Sequence, residues 1–248
     1  MKILGIDIGG SALKGAPVDT DTGRLLAGHY RVPTPDMLAP AKMAATAAEI
    51  ARNFRWRGPV GIGFPAVIQG RRILTAANLD KKFIGCDGIA LFSRAIGSPV
   101  ALVNDAVAAG LAEMRFGAGR GFGGKTLLLT LGTGVGSALS CRGVTIGCEL
   151  GHLPIKGRDA EKRVAASVRK ARNLSWSKWG GRLDKYLQLL ERILWPELII
   201  IGGGISARHD KFFKYVHTRA RLVPAKMLND AGIVGAALHA VDRLDRWG

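Results

Sequence analysis

Lys2-Ile3-Leu4-Gly5-Ile6-Asp7-Ile8-Gly9-Gly10-Ser11-Ala12-Leu13-Lys14-Gly15 joins an apolar strand to a carboxylate, a glycine pair, a hydroxyl and an amine at one strand–turn exit. Phosphoryl transfer uses that set of groups. The glycine pair lets the chain reverse and brings backbone N–H groups close to phosphate oxygens. Asp7 can hold a magnesium ion, directly or through water. Taken alone, Asp-x-Gly-Gly is equally the pattern of an ordinary β-hairpin turn.

Further glycine-rich turns tilt the balance. The apolar run Thr126 to Leu131 leads into Gly132-Thr133-Gly134-Val135-Gly136, ahead of a strand-like Ser137 to Ser140. Leu198-Ile199-Ile200-Ile201 leads into Gly202-Gly203-Gly204, with Ser206 expected as a helix N-cap. Between and after these lie Val103-Asn104-Asp105-Ala106-Val107-Ala108-Ala109-Gly110 and Asn229-Asp230-Ala231-Gly232-Ile233-Val234-Gly235-Ala236-Ala237.

In chain order the five segments resemble the phosphate loops, connecting helices and adenosine-type loop of the sugar kinase, actin and heat-shock ATPase superfamily. The resemblance covers nearly the whole chain. Glu149-Leu150-Gly151-His152 resembles the Glu-x-Gly-His signature of the ROK family, whose members are mostly sugar kinases and sugar-responsive repressors. Asn78-Leu79-Asp80, Glu149 to Ile155, Leu174 to Trp179 and Ile193 to Leu198 are similar to its polyphosphate glucokinase branch. Many ROK proteins carry a cysteine-rich zinc motif after that signature. Here Leu153 to Arg163 holds no cysteine, so no zinc site is expected, and His152 is left for sugar.

The pattern reads as an α/β protein. Strands are expected at Lys2 to Ile8, Val60 to Phe64 and Val100 to Asn104, with helices around Ala39 to Arg55, Gly88 to Ile96 and Asp105 to Arg115. A β-rich portion runs to about Thr145, then a basic helical portion, the strand at Leu198 and terminal helices. The resemblance implies two ribonuclease-H-like lobes with an interlobe cleft. A small lobe would span 1–104, with a helix of about 231–248 packing back on it, and a large lobe 105–230.

At 248 residues and 48% hydrophobic content the chain can bury one large core or two smaller ones. The apolar start is too short for a signal peptide and no run approaches a membrane span, so a cytoplasmic location is expected. Cys86, Cys141 and Cys148 are widely spaced, which supports neither a disulfide framework nor a thiolate zinc site, and burial is expected for all three.

The net charge of +17 points to an extended anion as partner. Its excess is uneven. Lys156, Arg158, Lys162, Arg163, Arg169, Lys170, Arg172, Lys178, Arg182, Lys185 and Arg192 face four acids, Asp159, Glu161, Asp184 and Glu191. Such a basic track would hold inorganic polyphosphate as a groove holds nucleic acid. A solvated helical face gives the same composition. Trp176 and Trp179 could offer stacking surfaces, but their spacing fits one buried helix face, and burial of at least one is expected.

Transfer to a sugar hydroxyl needs a base beside it, charge neutralisation on the donor and alignment of the two. Asp105 is assigned as the base that accepts the 6-hydroxyl proton. Its competing role is a helix N-cap. The resemblance places Asn104, Glu149 and His152 on the sugar. Glu161 would supply another contact, although it is as well read as a surface helix charge, and Asn78 and the Gly63-Phe64-Pro65-Ala66 turn would complete the pocket. Donor contacts are assigned to Asp7, Gly9, Gly10, Ser11 and Lys14 on one side and Gly132, Thr133 and Gly134 on the other, with Gly203 and Gly204 for a nucleotide in relatives that use ATP. Mg2+ is expected at Asp7. The reading is a polyphosphate-dependent glucokinase, with ATP as a second donor, mannose as a second sugar and a homodimeric assembly. The alternatives are an ATP-dependent hexokinase or mannokinase of the same family and a sugar-sensing nucleic-acid-binding regulator. The last needs a DNA-binding domain ahead of the first strand, for which Lys2 leaves no room.

Overall fold

The structure, a computed structural model, describes residues 1–10, 12–33, 38–77 and 79–244. Two compact units divide it: Met1–Ala112 with Asp230–Gly248, and Glu113–Asn229.

The first unit is built on β1 (Lys2–Ile8), β2 (Ala12–Asp19), β3 (Arg24–Leu25), β4 (Tyr30–Pro33), α1 (Pro40–Asn53), β5 (Val60–Phe64), the small hairpin β6 (Ile68–Gln69) and β7 (Arg72–Ile73), α2 (Gly88–Ile96), β8 (Val100–Asn104) and α3 (Asp105–Arg115). Its sheet runs β3-β2-β1-β5-β8, with β4 also paired to β2. β1 and β2 are antiparallel, whereas β5 and β8 run parallel to β1. Strands in such a sheet are covered on both faces, which is why β5 is buried at all five positions. Leu4, Ile6 and Ile8 join Met43, Ala47 and Ile50 of α1 and Phe92 of α2 in one core.

The second unit contains β9 (Thr126–Leu131), β10 (Val135–Cys141), β11 (Val144–Cys148), β12 (Pro154–Ile155), β13 (Arg158–Asp159), α4 (Glu161–Val164), α5 (Ala166–Ala171), α6 (Trp176–Leu194), β14 (Leu198–Gly202) and β15 (Arg221–Pro224). Its sheet, β11-β10-β9-β14-β15, repeats the first: an antiparallel meander of three, then two strands parallel to the meander's first. The order 3-2-1-4-5 in both sheets is the ribonuclease-H-like arrangement that the resemblance implies. α6 lays Trp179, Leu183, Tyr186, Leu187 and Leu190 on Leu127, Leu129, Ile199 and Ile201. Ser175 caps its start by accepting the Lys178 N–H at 3.2 Å, and Trp195 ends it in the left-handed conformation (φ 51°) ahead of Pro196.

The chain returns to the first unit in α7 (Ala231–Leu244). Glycines make the return possible. A Cβ on Gly61 would lie 1.9 Å from the Ala236 carbonyl oxygen, and one on Gly235 would lie 1.6 Å from that of Ala108. No side chain fits between backbones that close.

The division between units falls inside α3, between Ala112 and Glu113. Glu113 explains the position. Its carboxylate, 1% exposed, accepts the backbone N–H groups of Ala118 (2.7 Å), Lys226 (3.1 Å) and Met227 (2.7 Å), all second-unit groups.

Three local expectations are corrected. Val135 and Gly136 are the first residues of β10, because they pair with Leu131 and Thr130, so the second glycine turn shrinks to Gly132-Thr133-Gly134. Ser206 caps nothing; it sits buried in a 3-10 turn and donates its hydroxyl to the Gly203 carbonyl at 2.8 Å. The cysteines are not buried: Cys141 is exposed at the end of β10, and Cys86 and Cys148 are half-buried. Trp179 is fully buried, as expected of one of the two tryptophans. Among the described residues no helix is long and apolar enough to cross a membrane.

Candidate active site

In the first unit, β1 and β2 pair with Asp7 opposite Lys14, and Lys14 Nζ lies 3.1 Å from Asp7 Oδ2. The carboxylate assigned to metal and the amine assigned to donor phosphate thus meet each other. Gly232, in the first turn of α7, presses on the same carboxylate: a Cβ there would lie 2.5 Å from Asp7 Cγ. The positive end of the α7 dipole therefore supports Asp7's charge. The glycine turn is closed by the Gly9 N–H on the Ala12 carbonyl at 3.0 Å, and Gly10 is exposed. Ser11 and Asn78 lie outside the described residues.

At the β8–α3 junction the capping role falls to Asn104. Its Oδ1 accepts the N–H groups of Ala106 (3.0 Å) and Val107 (3.1 Å), and its Nδ2 donates to the Ala66 carbonyl (3.1 Å). Both lone pairs and one amide hydrogen are thereby committed, which leaves one hydrogen of that amide for another acceptor. Relieved of the cap, Asp105 begins α3 half-buried, its Oδ1 fixed by the Ala106 N–H at 2.8 Å.

In the second unit, the exposed Gly132-Thr133-Gly134 turn closes on itself by the Gly132 N–H to the Gly134 carbonyl (3.0 Å). Ser167 of α5 braces it, the N–H on the Gly132 carbonyl (3.0 Å) and the hydroxyl on that of Thr133 (2.6 Å). Glu161 stands directly against this turn. A Cβ on Gly134 would lie 2.5 Å from Glu161 Oε2, while Oε1 pairs with Lys162 Nζ at 3.0 Å. Gly203 leaves β14 at φ 79°, and a Cβ there would lie 2.5 Å from the Leu131 carbonyl oxygen, so this glycine is required by the fold itself. Gly204 has open space around its Cα.

The Glu149 to His152 segment forms a 3-10 turn seated on β10, where a Cβ on Gly151 would lie 2.6 Å from the Val135 carbonyl oxygen. His152 Nδ1 lies 3.0 Å from Asp159 Oδ2, and Nε2 lies 3.8 Å from Glu149 Oε2. The Asp159 hydrogen bond raises the His152 pKa, opposed by burial and helped by the charges of Asp159, Glu161 and Glu149. Burial raises the Glu149 pKa, against the pull of His152. His152, Asp159 and Glu161 offer a ring nitrogen and two carboxylate oxygens within 4.8 Å of one another, a set that could hold a cation. Asp159 escaped the sequence reading. Its signal was Lys156-Gly157, both at positive φ (52° and 73°), a two-residue hairpin turn that folds Asp159 back beside His152.

Residues 3–168 match the model of the ROK family. The chain belongs to the ROK family. It is 43% identical over 240 residues to a polyphosphate glucokinase of Mycobacterium tuberculosis, a match that spans 96% of this chain and 91% of that one. Among solved structures, the inorganic polyphosphate/ATP-glucomannokinase of Arthrobacter sp. strain KM superposes with a TM-score of 0.94 at 42% identity, covering 98% of this chain and 99% of that one. A ROK glucokinase from Streptomyces griseus, solved with glucose and AMPPNP, has a TM-score of 0.82 at 22% identity, covering 98% of this chain and 100% of its own, and shares the fold.

Proposed function

We propose that this ROK protein transfers a phosphoryl group from inorganic polyphosphate, with ATP as a second donor, to the 6-hydroxyl of glucose. The observation that carries the reading is the likeness, at 42–43% identity over nearly the whole chain, to a polyphosphate glucokinase and a polyphosphate/ATP-glucomannokinase.

Asp105 is the general base. Its Oδ1 is held by the Ala106 N–H, which fixes the carboxylate so that it can take the 6-hydroxyl proton as the oxygen attacks phosphorus. Asn104, locked by its cap, offers its remaining amide hydrogen to the sugar. Glu149, His152 and Glu161 bind further hydroxyls, and a sugar lacking one of them leaves a half-buried polar group unpaired, the basis of selectivity. The Gly9–Gly10 and Gly132–Gly134 turns take the donor phosphates with backbone N–H groups other than those of Gly9 and Gly132, which close the turns, and Lys14 shares its charge between Asp7 and the donor.

The residues at the first turn fit Mg2+, which is bound through one or two carboxylates plus substrate phosphates and water, and Asp7 is the carboxylate that would hold it. Bound there, the ion would neutralise charge on the donor. The cytoplasm and a homodimeric assembly are the setting expected for this reaction.

Initial rates with purified polyphosphate and with ATP, each with glucose and with mannose, test the proposal. Glucose 6-phosphate formed from polyphosphate in the absence of nucleotide is the expected result. Turnover with ATP alone would replace it with an ATP-dependent hexokinase.

A further inference from the structure

The basic stretch between Lys156 and Arg192 is not a uniform surface. Each of its four acids already has a partner. Asp159 bonds His152, Glu161 pairs with Lys162, Asp184 accepts from the His217 N–H (2.7 Å) and Gln188 (2.9 Å), and Glu191 accepts from the Arg219 and Ala220 N–H groups. Arg169 is also spent, lying 3.6 Å over the Trp176 ring.

Of the cations that remain, five converge. Lys178, Arg182 and Lys185 lie on one face of α6 at helical spacing, Arg163 approaches from α4, and Lys156 from the tip of the β12–β13 hairpin. Together they line a cavity of about 370 Å³ floored by Ile155, Val164, Tyr186 and Leu189, and no lining residue is acidic. Among the described residues none of the five forms an ion pair. Five like charges around one small cavity repel each other, a cost that an anion with several charges in a row reverses.

The geometry points to this cavity as a binding site for the chain of a linear polyphosphate, away from the phosphate that reacts. The assignment rests on the donor reading above and deepens it. The cavity suits a phosphate chain better than a nucleic acid because it offers bases no stacking surface: Tyr186 and Trp179 are fully buried, and Trp176 is covered by Arg169 and stacked on Phe212. Lys162, one residue from Arg163, is excluded because its charge is paired with Glu161.

The test is the variant Arg163→Gln/Arg182→Gln/Lys185→Gln, with binding of end-labelled long-chain polyphosphate read by fluorescence anisotropy across a salt series, alongside steady-state kinetics. Removal of three cations is expected to weaken polyphosphate binding about tenfold or more at low salt and to lower the slope of log affinity against log salt by about 2 to 3. KM for glucose and for ATP is expected to stay unchanged, and the melting temperature to hold or rise as repulsion is relieved. An unchanged polyphosphate affinity and slope would overturn the inference, as would equal competition by single-stranded RNA of matched charge. The two claims fail separately. Wild-type protein that binds polyphosphate through these residues without phosphorylating glucose refutes the donor reading and supports this site, whereas polyphosphate-driven turnover with the same KM in the variant refutes this site alone.

Discussion

His152 shows how one neighbour sets the chemistry of a residue. A lone imidazole titrates near neutrality, and the Asp159 hydrogen bond raises that pKa in the folded protein. The proton is therefore bound more tightly in the folded state than in the unfolded one. The resulting stability is fully present below the unfolded-state pKa and is lost as pH rises through the folded-state value. Asp159→Asn removes the charged acceptor, so the His152 midpoint followed by NMR in chelator-treated buffer is expected to fall; an unmoved midpoint would show that Asp159 does not govern the ring. Glu149 and His152 were legible from a short signature, whereas Asp159 depended on a hairpin turn two strands of two residues long. Asp105 was legible as a carboxylate at a strand–helix junction. That Asn104 rather than Asp105 carries the cap was not, because both are good cap residues and backbone geometry chooses between them. The exposure of the cysteines was not legible for a related reason: a small apolar residue in a loop, as Cys86 is, or at a strand end, as Cys141 and Cys148 are, is buried or exposed according to what packs over it.

Among the elements, those specified by their own residues matched the expectation. β1, β5, β8, α2 and α3 occupy the expected ranges because a continuous apolar run or a helical period marks each of them locally. The two-residue strands β3, β6, β7, β12 and β13 had no such mark, since only a partner strand defines them. The packing of α7 back on the first unit was implied by the resemblance, but its backbone contact with β1 and β5 was not legible in the sequence. This gives a sharp prediction. Gly235→Ala places a methyl against the Ala108 carbonyl, which cannot retreat, and is expected to cost ~3 kcal/mol or more in urea unfolding. Gly28→Ala, with nothing within 4 Å, is expected to fall within ~0.5 kcal/mol of wild type. Equal stability of the two variants would show that α7 is not seated as described.

At the scale of the whole molecule, one topology is used twice. Each unit carries half of the proposed machinery: Asp7, Lys14, Asn104 and Asp105 in the first, and the second glycine turn with Glu149, His152 and Glu161 in the second. No sequence repeat announces this duplication, because a fold is kept by burial pattern and strand order, and different residues satisfy both. The charge of +17 was legible as a preference for anions. Its division into paired, stacked and converging cations was not, since partners distant in sequence decide it. The proposed reaction is transfer from polyphosphate to glucose with Asp105 as base. Its most direct test is the initial rate of glucose 6-phosphate formation from polyphosphate by wild type and by Asp105→Asn, with glucose binding measured on both. The expected result is polyphosphate-driven turnover by the wild type, a loss of about 10²- to 10⁴-fold in the variant and a glucose affinity that is kept. A variant that turns over at near wild-type rate, or a wild type that forms no glucose 6-phosphate from polyphosphate, would contradict it.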